Sequence, residues 1–209
     1  MATRSTYDDS GGLPVVPGVI AGVVAFVAGY LVTFLLRSSE ATEALGSVGG
    51  GELAGSGITP PGGWQVIGWY FFQAHNVGIE ASVNVAGQSG TETLPSDIGV
   101  LLLLVPVVLL VVAGFLVAST ADPGDATEGA KAGLAVVPGY LLLAVLFALV
   151  TPWTFSQSAG GLSATASVGP NLLLAALLAG VVYPAVFGAA GGAAAGAAGD
   201  DSSAGTMDF

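Results

Sequence analysis

Four long apolar runs constrain the fold of this 209-residue chain more than any other feature. They cover residues 13–36, 98–118, 132–150 and 171–190. Each is long enough to cross a hydrocarbon core of about 30 Å, which takes about 20 residues in a helix. Because backbone polar groups find no water in lipid, an isolated run of this length is predicted to be helical. The sequence therefore predicts an all-α integral membrane protein with four transmembrane helices.

The composition supports a membrane environment. Only 8% of the residues are charged, whereas 53% are hydrophobic, and a soluble domain carries about 25% charged residues. The chain has 14 acidic and 3 basic residues, a net charge of −11, and no cysteine. Three basic residues cannot form a basic patch, so nucleic acid is excluded as a predicted partner. The missing cysteines exclude disulfides and thiolate metal sites.

Polar segments separate the apolar runs and suggest the domain boundaries. Residues 1–12 are predicted to be a polar N-terminal tail, followed by a four-helix membrane domain at 13–190. Residues 37–97 are predicted to be a long, partly ordered external loop, and 151–170 a shorter loop. Residues 191–209 are rich in glycine, alanine and aspartate, which predicts a tail too weakly hydrophobic to span.

The few charges near the helix ends predict an orientation. Arg4 and Lys131 lie on one side of the predicted bundle, and Arg37 lies on the other. The protein is predicted to lie in the cell membrane. The positive-inside rule then places both termini in the cytoplasm and both loops outside the cell. Asp125 and Glu128 form a capping pair that is predicted to start the third helix early.

Two short motifs recur in the same order in the two halves of the chain. The sequence VVPG occupies residues 15–18 and 136–139, and W-x-F-x-Q occupies 69–73 and 153–157. They predict a tandem repeat of two-helix hairpins related by an axis along the membrane normal. Chance matching is the alternative, because valine, glycine and alanine are abundant here.

The W-x-F-x-Q motifs are predicted to anchor the outer ends of the two hairpins at the membrane interface, where tryptophan is enriched. This role is structural, and the glutamines are expected to bond to loop backbone. The predicted interface anchors are Trp69, Phe71, Gln73, Trp153, Phe155 and Gln157.

Small residues recur at three- and four-residue spacing in the first and last runs. The predicted helix-packing residues are Gly18, Gly22, Ala25 and Gly29 in the first run, and Gly180, Gly188 and Gly192 in or just beyond the last. Such stripes let helix backbones approach closely. Packing inside one bundle is the favoured interpretation, and a seam between copies of the chain is the alternative.

The sequence predicts no catalytic, cofactor or metal site, and therefore no enzyme. His75 is the only histidine, Glu80 follows five residues later, and zinc typically needs three or four ligands. His75 is thus predicted to lie at the surface. None of the four runs contains a charged residue or histidine, which argues against ion-coupled transport.

The four runs, the acidic loops, the near absence of lysine and the paired VVPG helices together resemble small, uncharacterised multi-pass membrane proteins of haloarchaea. The resemblance implies a membrane location and adaptation to salt, without an activity. The predicted function is a non-enzymatic scaffold or accessory subunit of a membrane assembly. The alternative is a passive channel or small transporter that acts as an oligomer. The predicted partners are the lipid bilayer and either another copy or another membrane protein.

Overall fold

Four long helices form the body of the computed structural model, which describes residues 13–47, 57–96, 98–159 and 161–204. The helices long and apolar enough to cross a membrane cover Val15–Gly46, Gly99–Thr120, Ala126–Val150 and Leu172–Gly199. This arrangement is consistent with a multi-pass membrane protein. The predicted N-terminal tail, residues 1–12, lies outside the described residues.

The described residues contain five helical elements. Three are continuous: α1 at Val15–Ser47, α2 at Gly63–Gln73 and α3 at Gly99–Thr120. Helix α4 consists of Ala126–Gly133, a 3-10 turn at Leu134–Val136, and Val137–Val150. Helix α5 consists of Leu172–Leu174, a π-helical segment at Ala175–Val182, and Tyr183–Ala204.

A four-stranded antiparallel sheet lies at one end of the helices, so the all-α prediction is wrong. The strands are β1 at Ile79–Val85, β2 at Gln88–Thr93, β3 at Trp153–Ala159 and β4 at Leu162–Pro170. Their order is β2-β1-β4-β3. The α1–α3 connection and the α4–α5 connection each supply one hairpin, and the β1–β4 pairing joins the two hairpins. We call this end of the helices the sheet end.

Alternating side chains explain why these segments form strands. In 79–85 and 162–168 every second residue is apolar, which is the pattern of a strand with one solvated face. Ala86 and Gly87 both have positive φ angles, 51° and 86°, as a two-residue hairpin turn of type I′ requires. The segments predicted as loops at 37–97 and 151–170 therefore contain regular structure.

The four long helices pack as one bundle. Helix α1 packs against α3 and α4, and α5 packs against the same two helices. A methyl group added at Gly22 would overlap the carbonyl oxygen of Val136 in α4, and one at Gly192 would overlap that of Gly129. The glycine stripes of α1 and α5 therefore lie where the chain's own backbones cross, and α4 packs against both of them.

Two long helices extend beyond the predicted boundaries. Helix α1 continues into the predicted external loop as far as Ser47. Helix α5 continues to Ala204, although the sequence predicted a tail from residue 191 onward. The physical reason is packing. Gly192 and Gly196 lie against the backbone at the start of α4. The small residues that lower the hydropathy of this segment therefore also allow α5 to pack closely on α4.

The start of α4 confirms the predicted capping pair. Asp125 Oδ1 accepts hydrogen bonds from the backbone nitrogens of Thr127 and Glu128 at 2.7 and 2.9 Å. Glu128 Oε2 accepts one from the backbone nitrogen of Gly124 at 3.0 Å. Because the helix starts there, the second VVPG motif lies in its interior around the 3-10 turn, whereas the first lies at the start of α1.

Candidate functional site

Helix α2 and the turn after it, residues 63–78, enter the sheet end of the bundle, and we call them the α2 insert. Phe71 and Phe72 are fully buried. The Phe71 ring lies edge-on to Phe26 of α1 at 4.9 Å, and the Phe72 ring stacks on Phe147 of α4 at 5.9 Å. The insert therefore fills the space between α1 and α4 with aromatic rings and closes this end of the bundle.

The insert ends in a buried histidine, so the prediction that His75 lies at the surface is wrong. Its Nδ1 lies 2.8 Å from the carbonyl oxygen of Phe71, and its Nε2 lies 2.7 Å from the hydroxyl of Tyr140 in α4. A carbonyl can only accept, so Nδ1 carries the proton and Nε2 accepts from the Tyr140 hydroxyl. Burial lowers the pKa of His75 to about 4, so the ring is neutral at pH 7.

The contacts of His75 lie deep in the bundle. Tyr140 is ten residues before Val150, where α4 ends, which is about 15 Å along a helix axis. Asn76 donates a hydrogen bond from Nδ2 to the hydroxyl of Tyr183 in α5. The end of the insert is therefore fixed to both α4 and α5 by side-chain hydrogen bonds, which is a structural role for the histidine.

The first turns of the insert are also fixed to α4. Gln65 Nε2 donates to the carbonyl oxygens of Thr151 and Pro152 at 3.3 and 3.2 Å. Trp69 Nε1 donates to the same Thr151 oxygen at 3.2 Å. On the other side, the Tyr30 hydroxyl of α1 donates to the carbonyl oxygen of Trp64 at 3.1 Å. The insert is thus held along its whole length.

The polar groups here bond to one another and to the backbone. Within the described part of the chain, no three His, Cys, Asp or Glu side chains are grouped for a metal ion. Both nitrogens of His75 are engaged, and Glu80 accepts a hydrogen bond from Asn171 Nδ2 at 2.7 Å. Asn171 Oδ1 accepts in turn from the backbone nitrogen of Leu174, so it caps α5. Asp97 lies outside the described residues.

The sheet has one apolar and one polar face. Its registers align three rows of side chains across β2, β1, β4 and β3. These three rows form what we call the apolar face: Glu92, Ala81, Val168 and Trp153 nearest the bundle, then Gly90, Val83, Ala166 and Phe155, then Gln88, Val85, Ala164 and Gln157. The parallel rings of Trp153 and Phe155, 6.4 Å apart, agree with this assignment.

Hydroxyl and amide side chains cover the opposite face. Ser82 and Ser167 are paired across β1 and β4, and their hydroxyl oxygens lie 3.0 Å apart. Asn84 and Thr165 form the next pair outward. This polar face has the composition of a solvated sheet surface.

The described residues cover the apolar face only near the bundle. Ile79, at the start of β1, is buried and lines a cavity of about 270 Å³ with Trp69 and Gln73 of the insert. Farther out, Val83 and Val85 are 49% and 48% exposed. A single sheet with an exposed apolar face is incomplete as a packing unit, because sheets bury that face against another layer. The outer two rows of the apolar face are therefore the candidate functional site.

The structure divides the six predicted interface anchors between two different settings. Trp153, Phe155 and Gln157 lie on one face of β3, since residues two apart in a strand point the same way. Trp69, Phe71 and Gln73 lie on α2, where residues two apart point in different directions, about 200° apart. Phe71 is buried in the bundle core rather than at an interface. The W-x-F-x-Q motifs are therefore not equivalent structural elements.

The apolar face is visible in the sequence as alternating apolar and polar residues. The stretch "IEASVNV" at 79–85 alternates strictly, and "LSATASV" at 162–168 does the same. Period-two alternation predicts a strand with one apolar face. The alternation places Val83 and Val85 on the apolar side of one strand and Ala166 on the apolar side of another.

One comparison with known proteins gives a match. A model described as a family of unknown function (DUF7978) matches residues 1–199. No match was found among curated proteins or solved structures.

Proposed function

We propose that this chain, which belongs to a family of unknown function (DUF7978), is a non-enzymatic membrane scaffold or accessory subunit. In this proposal the four-helix bundle is the anchor, and the apolar face of the sheet binds a protein partner beside the membrane. The exposure of Val83 and Val85 carries the proposal. Exposed apolar side chains on the sheet are stabilised when another surface removes them from water.

The closed bundle supports a scaffold over a passive channel. The α2 insert fills the sheet end with buried rings such as Phe71 and Phe72. Among the described residues, every buried side-chain nitrogen or oxygen has a hydrogen-bond partner. A polar passage needs groups that water or ions can bond, so a channel through one bundle would require the insert to leave it, and an oligomeric channel would need its passage between copies.

A co-purification experiment tests the scaffold proposal. The full chain is isolated from its native membrane in mild detergent, as wild type, as Val83→Asp and as Thr165→Asp. Both substitutions place a carboxylate on the sheet, but on opposite faces. We expect the wild type and Thr165→Asp to retain their protein partners and Val83→Asp to lose them. Identical partners for all three proteins would overturn the proposal.

A flux measurement tests the channel alternative. Liposomes that contain the purified chain and trapped potassium ions are expected to release them no faster than protein-free liposomes. Faster release by the wild type would favour the channel.

We further propose that the chain lies in the cell membrane with both termini in the cytoplasm and the sheet outside. The distribution of Arg4, Lys131 and Arg37 supports this orientation. A membrane-impermeant maleimide should label Thr165→Cys on the sheet in intact cells, whereas Ser119→Cys at the opposite end of α3 should react only after lysis. Labelling of Ser119→Cys alone would reverse the orientation.

The order of elements supports a duplication of a helix–hairpin–helix unit. The first unit contains α1, the β1–β2 hairpin and α3, and the second contains α4, the β3–β4 hairpin and α5. We propose this alignment in place of the one through W-x-F-x-Q, with the α2 insert as an addition to the first unit. A half-length relative that pairs with itself would support the duplication, and a four-helix relative with a hairpin in only one half would contradict it.

A further inference from the structure

The partner of the apolar face can be identified more closely. We infer that the face is covered by the same face of a second copy of this chain, so that two sheets form a sandwich beside the membrane. This inference rests on the proposed scaffold function, because it names the partner that the scaffold binds.

The low charge of the face allows a second copy to approach. Of the twelve positions that define the face, only Glu92 is charged, and it lies at the edge in the row nearest the bundle. The chain as a whole has a net charge of −11. Outside the uncharged apolar helices, two copies would repel each other through their acidic segments, but they can approach through this nearly neutral face.

The anchoring of the sheet fixes how two copies would meet. Each hairpin starts and ends at the sheet end of the bundle, and its turn lies at the opposite end of its two strands. The sheet therefore projects away from the helices. Two copies inserted the same way in one membrane are related by a two-fold axis along the membrane normal. For sheets that face each other across this axis, β2 of one copy lies opposite β3 of its partner, and β1 lies opposite β4.

The side chains that this axis brings together are complementary in size. In the middle row, Gly90 of one copy lies opposite Phe155 of the other, and Val83 lies opposite Ala166. In the outer row, Val85 lies opposite Ala164. A large side chain thus meets a small one at each of these positions, which is what close packing of sheets about 10 Å apart requires.

Two further observations agree with this docking. The outer row pairs Gln88 with Gln157, whose amides can hydrogen-bond to each other across the edges of the sandwich. No atom lies within 4 Å of the position that a side chain at Gly90 would occupy, so the space for the partner's Phe155 is open. Confinement of both copies to one membrane raises their effective concentration, so a small face suffices.

Cross-linking in membranes tests the inference, and the chain's lack of cysteine makes each introduced thiol unique. Val83→Cys and Thr165→Cys place one thiol on opposite faces of the sheet. A bis-maleimide that spans about 10 Å, the spacing of stacked sheets, is added to membranes containing either protein. We expect an adduct of dimer mass from Val83→Cys and several-fold less from Thr165→Cys.

A second substitution tests the size complementarity. Gly90→Phe adds a ring at a position where the added Cβ meets no atom of the described residues beyond its chain neighbours within 4 Å, so each copy should fold normally. Combined with Val83→Cys, it is expected to abolish the dimer adduct. Ser89→Phe adds the same ring to the polar face of the same strand and should leave the adduct unchanged.

The outcomes separate this inference from the proposed function. Equal dimer adducts from both cysteine variants would indicate random collision and would overturn the inference. An adduct between Val83→Cys and a different protein would overturn the second copy as partner but would leave the scaffold proposal intact. A dimer adduct that survives Gly90→Phe would also contradict the docking described.

Discussion

The ring of His75 illustrates how one residue can change its expected role once its surroundings are known. The local sequence around it is rich in polar groups, and nothing in it predicts burial. The burial follows from the aromatic residues that precede it, because Phe71 and Phe72 draw the chain into the bundle. Its partner Tyr140 is 65 residues away in sequence, a separation no local pattern could reveal.

The first prediction concerns the hydroxyl of Tyr140. Tyr140→Phe leaves Nε2 of His75 buried with its acceptor unpaired, which costs about 1–3 kcal/mol. We expect a lower thermal unfolding midpoint in detergent. Tyr70→Phe is the matched control, because Tyr70 is half-buried and its ring lies under the Arg37 guanidinium. Equal losses in the two variants would argue against the buried hydrogen bond.

The second prediction concerns pH. An unfolded histidine binds a proton below pH 6.5, whereas burial holds the pKa of His75 at about 4. Between these values the unfolded state binds more protons, so stability falls as the pH is lowered. At pH 5 the expected loss is about 2 kcal/mol relative to pH 8. Unfolding midpoints of the wild type and of His75→Gln, which does not titrate, measure this, and parallel pH profiles would contradict it.

At the scale of elements, the helices could be predicted because hydrophobic length in a membrane leaves the backbone one solution. The capping pair at Asp125 and Glu128 was predictable for the same kind of local reason. The W-x-F-x-Q motif does not predict the hairpins, because the same residue spacing occurs in a helix, α2, and in a strand, β3. Side chains two residues apart point the same way in a strand but in different directions in a helix. The β1–β4 pairing could not be predicted, since it joins residues from two separate loops.

The third prediction concerns the crossing of α1 and α4. Gly22→Ala places a methyl group where the Val136 carbonyl lies, so the helices must separate, and overpacking of this kind costs about 1–3 kcal/mol. Gly46→Ala is the matched change on the same helix at a position with open space. It is expected to raise stability by less than about 0.5 kcal/mol, because alanine favours helix and Gly46 lies in the last turn of α1. A neutral Gly22→Ala would mean that the crossing is looser than the structure shows.

For the whole molecule, the acidic surface and the apolar bundle are stable in different surroundings. The bundle needs lipid, and the carboxylates outside it need ions that screen their repulsion. At 1 M salt the screening length falls to about 3 Å, from about 10 Å at 0.1 M. We propose that this balance suits the protein to a salt-rich cell, as the haloarchaeal resemblance implies.

The fourth prediction follows from that balance. The unfolding midpoint of the full chain is expected to rise when potassium chloride is increased from 0.1 M to 1 M. A double variant, Glu43→Gln with Glu92→Gln, removes two exposed carboxylates and should show a smaller rise. A salt response that is the same in both proteins would show that screening of these charges is not its cause.

The pairing of β1 with β4 has a consequence for the order in which the protein is made. Asn171 and Glu80, which bond where the two strands leave the bundle, are 91 residues apart. While the ribosome synthesises the chain from its N-terminus, the first hairpin is finished long before its neighbouring strand exists. The edge of β1 must therefore stay unpaired until α4 and the second hairpin have followed. In that interval the nascent chain presents an open strand edge, the stage at which it most needs protection from pairing with other chains.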